Sequence, residues 1–147
     1  MKYVLSLILV MLLMVSCAPV GGQETEAQAL TIDTPWARPA LSGGNSAVYF
    51  TIENPGQEAD RLLGAQCDAA QMVQVHMTVM EADGTSKMMH QEAVDIPAGE
   101  SISFEPGGLH IMLMNLTEDL QPGQVLPVTL EFENAGAVEV MASVREP

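Results

Sequence analysis

The chain has 147 residues, with 19 acidic and only 5 basic side chains, and a net charge of −14 at neutral pH. That length suits one domain of ordinary size plus a targeting segment. So acidic a surface repels nucleic acid and anionic membrane and attracts cations, although acidity alone does no more than keep a protein soluble.

The chain opens with MKYVLSLILVMLLMVSC. Lys2 precedes an apolar run from Tyr3 to Val15 that is short for a membrane span, so residues 1–16 read as a secretion signal. Met14-Val15-Ser16-Cys17 resembles a bacterial lipoprotein cleavage site, with Met14 where Leu is usual. Cys17 would then be the lipidated first residue of a periplasmic or cell-surface protein, and the lipid its sole membrane attachment. Plain secretion with a slightly later cut is the alternative. Cleavage removes Lys2 and no acidic residue, so 4 basic and 19 acidic side chains remain, net −15. Residues 17–29 are polar and without period, which suits a flexible tether to a domain over residues 30–147. With Cys17 lipidated, Cys67 has no partner for a disulfide, and the domain must rely on its core.

From Leu30 onward, short runs rich in Val, Ile, Leu and Thr alternate with turn residues. The runs are LTIDT, SAVYFTIEN, DRLLGAQ, MVQVHMTVM, SKMMHQEAVDI, SISFE, LHIMLMNL, VLPVTLEF and AVEVMASV. Between them fall Pro55-Gly56, Asp83-Gly84, Pro97-Ala98-Gly99, Pro106-Gly107-Gly108 and Pro122-Gly123. Short strands at such even spacing predict an all-β sandwich or barrel, and no stretch carries a helical period. Alternation sorts the faces. Val73, Val75, Met77 and Val79 share a core face, whereas Gln74, His76, Thr78 and Met80 point away from it. Near the C-terminus, Val138, Val140 and Ala142 alternate against Glu139, Met141 and Ser143.

All three histidines, and seven of the eight methionines beyond residue 16, fall between Met72 and Met114. A packed core gives no reason for that concentration. Met72, Met77 and Met114 read as ordinary core filler. The histidines are harder to dismiss, because they keep company with thioethers on faces turned from the core. Imidazole suits several late transition metals, and thioether sulfur selects Cu(I) over zinc or iron. Outside the cytoplasm, Met also resists the disulfide formation that consumes exposed thiolates. His110 and Met112 stand two apart on one strand, about 6.5 Å between Cα atoms, so both can reach one ion. Met88 follows the Asp83-Gly84 turn. A two-residue turn would pair it with Val79 on the valine face. A three-residue loop over 82–84, with Gly84 left-handed, would bring it to the His76 face.

The spacing His76-Met77, ten residues, Met88, twenty-one residues, His110-Ile111-Met112 resembles the H(M)-x10-M-x21-H-x-M pattern of the periplasmic copper chaperone family PCu(A)C. The likeness extends through TPWARPA, NSAVYFTIEN, ADRLLGAQ, IPAGESISFEPGGLHIMLMNL and VLPVTLEFENAG, from about Leu30 to Val144. It implies a cupredoxin-like Greek-key β-fold that binds one Cu(I) per chain through His76, Met88, His110 and Met112. It also implies a monomeric carrier, not an enzyme. The family's usual recipient is the copper centre of cytochrome c oxidase subunit II, sometimes with a thioredoxin-like Sco protein. The chain ends in ASVREP, without the Met- and His-rich tail of some members, so one site is expected.

Of the remaining residues, His90 reads as exposed and polar, with help to Cu(II) as the alternative. Met80 and Met89 are ambiguous. Trp36 reads as a buried indole, with Arg38 pairing or capping nearby, and Cys67 as a small buried residue. Two other classes compete with copper carriage. A blue-copper electron carrier needs a Cys thiolate beside two His, and the region around His110 has none. A metal-free immunoglobulin-like adhesion or assembly module predicts that the four candidate ligands diverge in space. Copper storage or scavenging is the nearer alternative.

Overall fold

A computed structural model describes residues 29–147. The expected signal, Cys17 and the tether up to residue 28 lie outside the described residues. Ten strands account for the fold: β1 (Thr31–Ala37), β2 (Ser46–Glu53), β3 (Asp60–Gln66), β4 (Ala70–Met80), β5 (Ser86–His90), β6 (Val94–Ile96), β7 (Ser101–Phe104), β8 (Leu109–Leu116), β9 (Val125–Phe132) and β10 (Gly136–Val144). The all-β expectation holds, with one refinement. The run SKMMHQEAVDI is two strands, β5 and β6, rather than one.

The strands hydrogen-bond in the order β5-β4-β8-β7-β2-β1-β10-β9-β3-β6, with β8 also pairing β2. Laid flat at about 4.8 Å per strand, such a sheet would hold β5 and β6 more than 40 Å apart. Yet only residues 91–93 join them, a link that spans at most about 14 Å. A second three-residue link, Cys67 to Ala69, joins β3 near one end of the order to β4 near the other. Both links force the sheet to curl so that its ends approach, which gives the two facing layers of a sandwich, although among the described residues no strand pairing joins the two ends. One continuous core fills the inside, including Val48, Phe50 and Ile52 of β2, Val75 of β4, Ile111 and Leu113 of β8, and Val128 and Leu130 of β9. Truncating any of the fully buried branched side chains to Ala would cost about 2–5 kcal/mol.

Two local features aim the candidate ligands. Glu81 and Thr85 close the β4–β5 hairpin through a 2.7 Å backbone bond, and Gly84 between them has φ +85°. This is the three-residue loop, with Gly in the left-handed region where a side chain would be strained. It sets Thr78 opposite Met88 and His76 opposite His90. At the start of β8, Gly107 has φ +86° and turns the chain so that Gly108 O accepts a hydrogen bond from Thr78 N at 3.0 Å.

Candidate metal site

The β4–β8 ladder places His76 directly opposite His110, Gln74 opposite Met112 and Met72 opposite Met114. Together with Met88 and His90 from β5, these side chains occupy the face of the sheet turned away from the core. Alternation is strict where it matters: Ile111 and Leu113 are buried inside, while His110 and Met112 point the other way. Met88, His110 and Met112 line one open groove of about 340 Å³, with Thr78, Tyr49 and Gly107. His76 stands one strand over, its ring centroid 5.9 Å from that of His110. Of the four residues that the family resemblance implies, Met88, His110 and Met112 share the groove, and His76 adjoins it beside His110.

The hydrogen bonds around the imidazoles select their tautomers. His110 Nδ1 lies 3.1 Å from Gly108 O, so Nδ1–H donates and Nε2 keeps a bare lone pair. His76 Nε2 lies 3.1 Å from Gln74 Oε1, so Nε2–H donates there and Nδ1 is the bare nitrogen. That Nδ1 is buried and, among the described residues, is the one buried side-chain polar atom with no hydrogen-bond partner. An unpaired buried acceptor costs about 1–3 kcal/mol, so its persistence needs a reason, and a bound ion is one of the few that suffice. Burial, with smaller contributions from His110 and His90, holds the His76 pKa below the ordinary imidazole value. That shift favours the neutral ring, the form a metal ligand needs. The orienting residues, Gln74 and Gly108, escape a motif-based reading, although strand alternation already places Gln74 beside His76.

Sequence reasoning also missed the cover over His110, which is only 3% exposed. Tyr49 of β2 packs against it with centroids 6.3 Å apart, and Trp36 of β1 packs on Tyr49 with centroids 4.6 Å apart and the rings tilted by 36°. Arg145 lies over the Trp36 indole, 4.5 Å from the ring centre, a cation–π contact. The expectation for Trp36 and Arg38 is corrected here. The indole is half-buried, its cationic partner is Arg145, and Arg38 is exposed and lines the groove. No carboxylate lines that groove despite the acidity of the chain. The candidate donors that line it are uncharged, one imidazole and two thioethers, and the His76 imidazole neighbours His110.

Met72 also departs from expectation. It is half exposed on the site face, not core, and pairs with the half-buried Met114. Met80 and Met89 are exposed on the hairpin, and so is Val79, because the hairpin extends past the end of the core. His90 is exposed, with its ring 6.0 Å from that of His76. Cys67 packs into the core, where burial raises its thiol pKa and leaves it unreactive, as the sequence predicts.

Comparison with known proteins agrees with this architecture. Residues 30–144 match the family model described as "Putative lipoprotein LpqE-like". A curated relative, "Putative lipoprotein Lxx21020" of Leifsonia xyli subsp. xyli, is 31% identical over 121 residues, covering 82% of this chain and 72% of that protein. Among solved structures, the copper-bound PCuAC domain from PmoF2 superposes with TM-score 0.68 and 28% identity, over 82% of this chain and 96% of that one. The Cu(I) form of DR1885 from Deinococcus radiodurans superposes with TM-score 0.62 and 28% identity, over 84% and 85%. The cupredoxin-like β-fold implied by the His/Met spacing is therefore shared with PCuAC domains, and the chain belongs to the LpqE-like family.

Proposed function

We propose that this protein is an exported copper chaperone that holds one Cu(I) through His76, Met88, His110 and Met112 and passes it to an acceptor protein. The observation that carries the reading is the unpaired, buried Nδ1 of His76 beside the bare Nε2 of His110, on the face that also presents both thioethers. Two neutral imidazoles and two thioethers form a soft, uncharged set suited to Cu(I). The copper-bound and Cu(I) forms of the structural neighbours support the same ion. Anchoring by a lipid on Cys17, at the extracytoplasmic face of a bacterial membrane, accords with the lipoprotein names of the family and the relative.

Carriage, rather than storage, is favoured by the asymmetry of the donors. His110 is buried and braced, but Met88 is 55% exposed on an edge hairpin. An incoming ligand can displace Met88 first and then draw the ion off by stepwise exchange. The acceptor in this reading is the copper centre of cytochrome c oxidase subunit II, with a Sco-like protein as co-worker. A metal-free adhesion module gives no account of two neighbouring imidazoles and two thioethers on one face. Cu(I) titration followed by X-ray absorption tests the site. One equivalent bound by two sulfur and two nitrogen ligands is expected, and an all-nitrogen shell or absent binding would sink the reading.

A further inference from the structure

The groove beside His110 has two unlike flanks. On the β4–β5 side, Met72, Met80 and Met88 are exposed. On the β1–β10 side stand two arginines. Arg38 N donates to Ala47 O at 3.1 Å, and Ala47 sits opposite Met112 in the β2–β8 register. Arg38, Ala47 and Met112 therefore form one row, and all three line the groove. Arg145 N donates to Ala37 O at 3.0 Å, and Val144 pairs with Ala37. Continuing that parallel register by one residue sets Arg145 beside Arg38. Ala37 and Val144 are buried, so alternation turns both arginines to the outer face, where Arg145 lies over the Trp36 indole.

Two cations side by side run against the composition of the chain, which has 19 acidic and 5 basic side chains. The basic residues among those described are Arg38, Arg61, Lys87 and Arg145. Arg61 is neutralised by Asp95 at 3.0 Å and Glu133 at 3.8 Å. Lys87 lies opposite Val79, on the other face of the hairpin from Met88. Among the described residues Arg38 and Arg145 make no ion pair, although Glu146 is next in sequence. Like charges on neighbouring strands destabilise a sheet, and here no carboxylate of the chain offsets them. One flank of the groove thus carries the opposite sign to the protein as a whole.

We propose that Arg38 and Arg145 are the docking contact for an acceptor protein whose surface is acidic beside its copper-receiving ligands. This rests on the copper reading above and adds the chemistry of the partner and its direction of approach. A basic partner would be drawn to the acidic surface at large, with no preference for the groove. An acidic partner is repelled by that surface and attracted only at the reversed flank, so it arrives groove first. Each guanidinium offers a planar fork that fits a carboxylate with two N–H bonds. Trp36 already supports the Arg145 fork, which lowers the cost of ordering it. The methionines of the other flank supply an adaptable apolar contact.

One arm of the test needs no copper. Metal-free protein is titrated at low salt with hexaglutamate and, separately, with hexalysine, and the response of each amide is followed by nuclear magnetic resonance. Hexaglutamate should shift Arg38, Arg145 and the Trp36 indole and little else. The response should vanish in the double variant Arg38→Gln, Arg145→Gln, and in about 1 M salt, where charges are screened beyond about 3 Å. Hexalysine should spread over the acidic surface. Hexaglutamate shifts centred elsewhere, absent, or equal in the double variant would overturn the proposal. The second arm follows Cu(I) transfer to the copper-free soluble domain of cytochrome c oxidase subunit II by stopped flow. Arg38→Gln keeps most of the side-chain stem and removes the charge, so transfer should slow by about threefold or more at low salt and match the wild type at high salt. Equal rates at low salt would overturn the docking role. So would a slowing that persists at high salt, since Arg38 would then act on the hold of the ion. A wild type that binds no Cu(I) removes the chaperone reading, and a domain that takes no copper removes that acceptor. In both cases the hexaglutamate map still decides the role of the arginine pair.

Discussion

Two polar groups taken out of water in different parts of the sheet have contrasting fates. Asp60, at the start of β3, is 6% exposed, and its carboxylate is saturated. It accepts hydrogen bonds from Arg61 N at 2.7 Å and from Asn134 N and Ala135 N at 2.9 Å. His76, on β4, keeps a buried nitrogen with nothing to bond. Desolvation is costly for both groups. Where the cost is offset by the chain's own N–H groups, the residue holds the β9–β10 turn against β3. Where it is left open, a nitrogen lone pair stays available, as the copper reading requires. A buried polar group that is satisfied reports on folding, and one that is not reports on function.

The largest effect should come from removing the braced half of the candidate site. The double change His110→Ala, Met112→Leu deletes one nitrogen and one sulfur while leaving the inner face of β8, Ile111 and Leu113, untouched. Cu(I) affinity should fall on the order of a thousandfold or more, equivalent to about 4 kcal/mol. Far-ultraviolet circular dichroism should still report a β-rich fold. Tight binding that survives in competition with a Cu(I) chelator would place the site elsewhere.

Asp60→Ala should do the reverse. Removing a carboxylate that accepts three backbone N–H bonds should cost about 1.5–3 kcal/mol of stability, read by denaturant unfolding, with Cu(I) affinity unchanged. Acidity probes the same contact. Burial pushes the Asp60 pKa up, but the backbone hydrogen bonds, chiefly from Asn134, Arg61 and Ala135, together outweigh it, and the net shift is downward. A carboxylate with a depressed folded pKa contributes stability that is fully present above its ordinary value, near 3.8. That contribution is lost as pH falls through the lower folded value. The wild-type advantage over Asp60→Ala should therefore persist at pH 5 and shrink as pH falls below the ordinary Asp value. An advantage that vanishes already at pH 5 would mean the pKa is raised instead.

Legibility in the sequence followed the same division. Strands with one polar face, such as MVQVHMTVM and AVEVMASV, declare both their existence and their facing. The break between β5 and β6 does not show, because Gln91-Glu92-Ala93 contains no Gly or Pro. It exists because the chain must cross from one end of the sheet order to the other. The loop that brings Met88 to the His76 face was one of two options until the Glu81–Thr85 bond decided it. The ligand pattern is legible because its spacing is rigid along strands. The cover of Tyr49, Trp36 and Arg145 is not. SAVYF is apolar on both faces, and Arg145 comes from the far end of the chain. Gln74 and Gly108 act through single hydrogen bonds that no periodicity encodes.

The smallest predicted effect is the sharpest boundary of the site. Met114 shares its strand face with His110 and Met112, so alternation alone makes the three equivalent. The ladder separates them. Met112 pairs with Gln74, the residue that orients His76, and lines the groove, whereas Met114 pairs with Met72 one step further along, outside it. A further two residues of strand is about 6.5 Å, too far for a sulfur to bind the same ion as His110 while its backbone stays in the sheet. Met114→Leu conserves volume and should cost less than about 1.5 kcal/mol of stability. It should leave Cu(I) affinity within about twofold and the sulfur count at two. A tenfold loss, or a drop of one sulfur in the absorption spectrum, would show that the Met72–Met114 pair belongs to the metal site and that the boundary between ligand and packing lies one step further from His76.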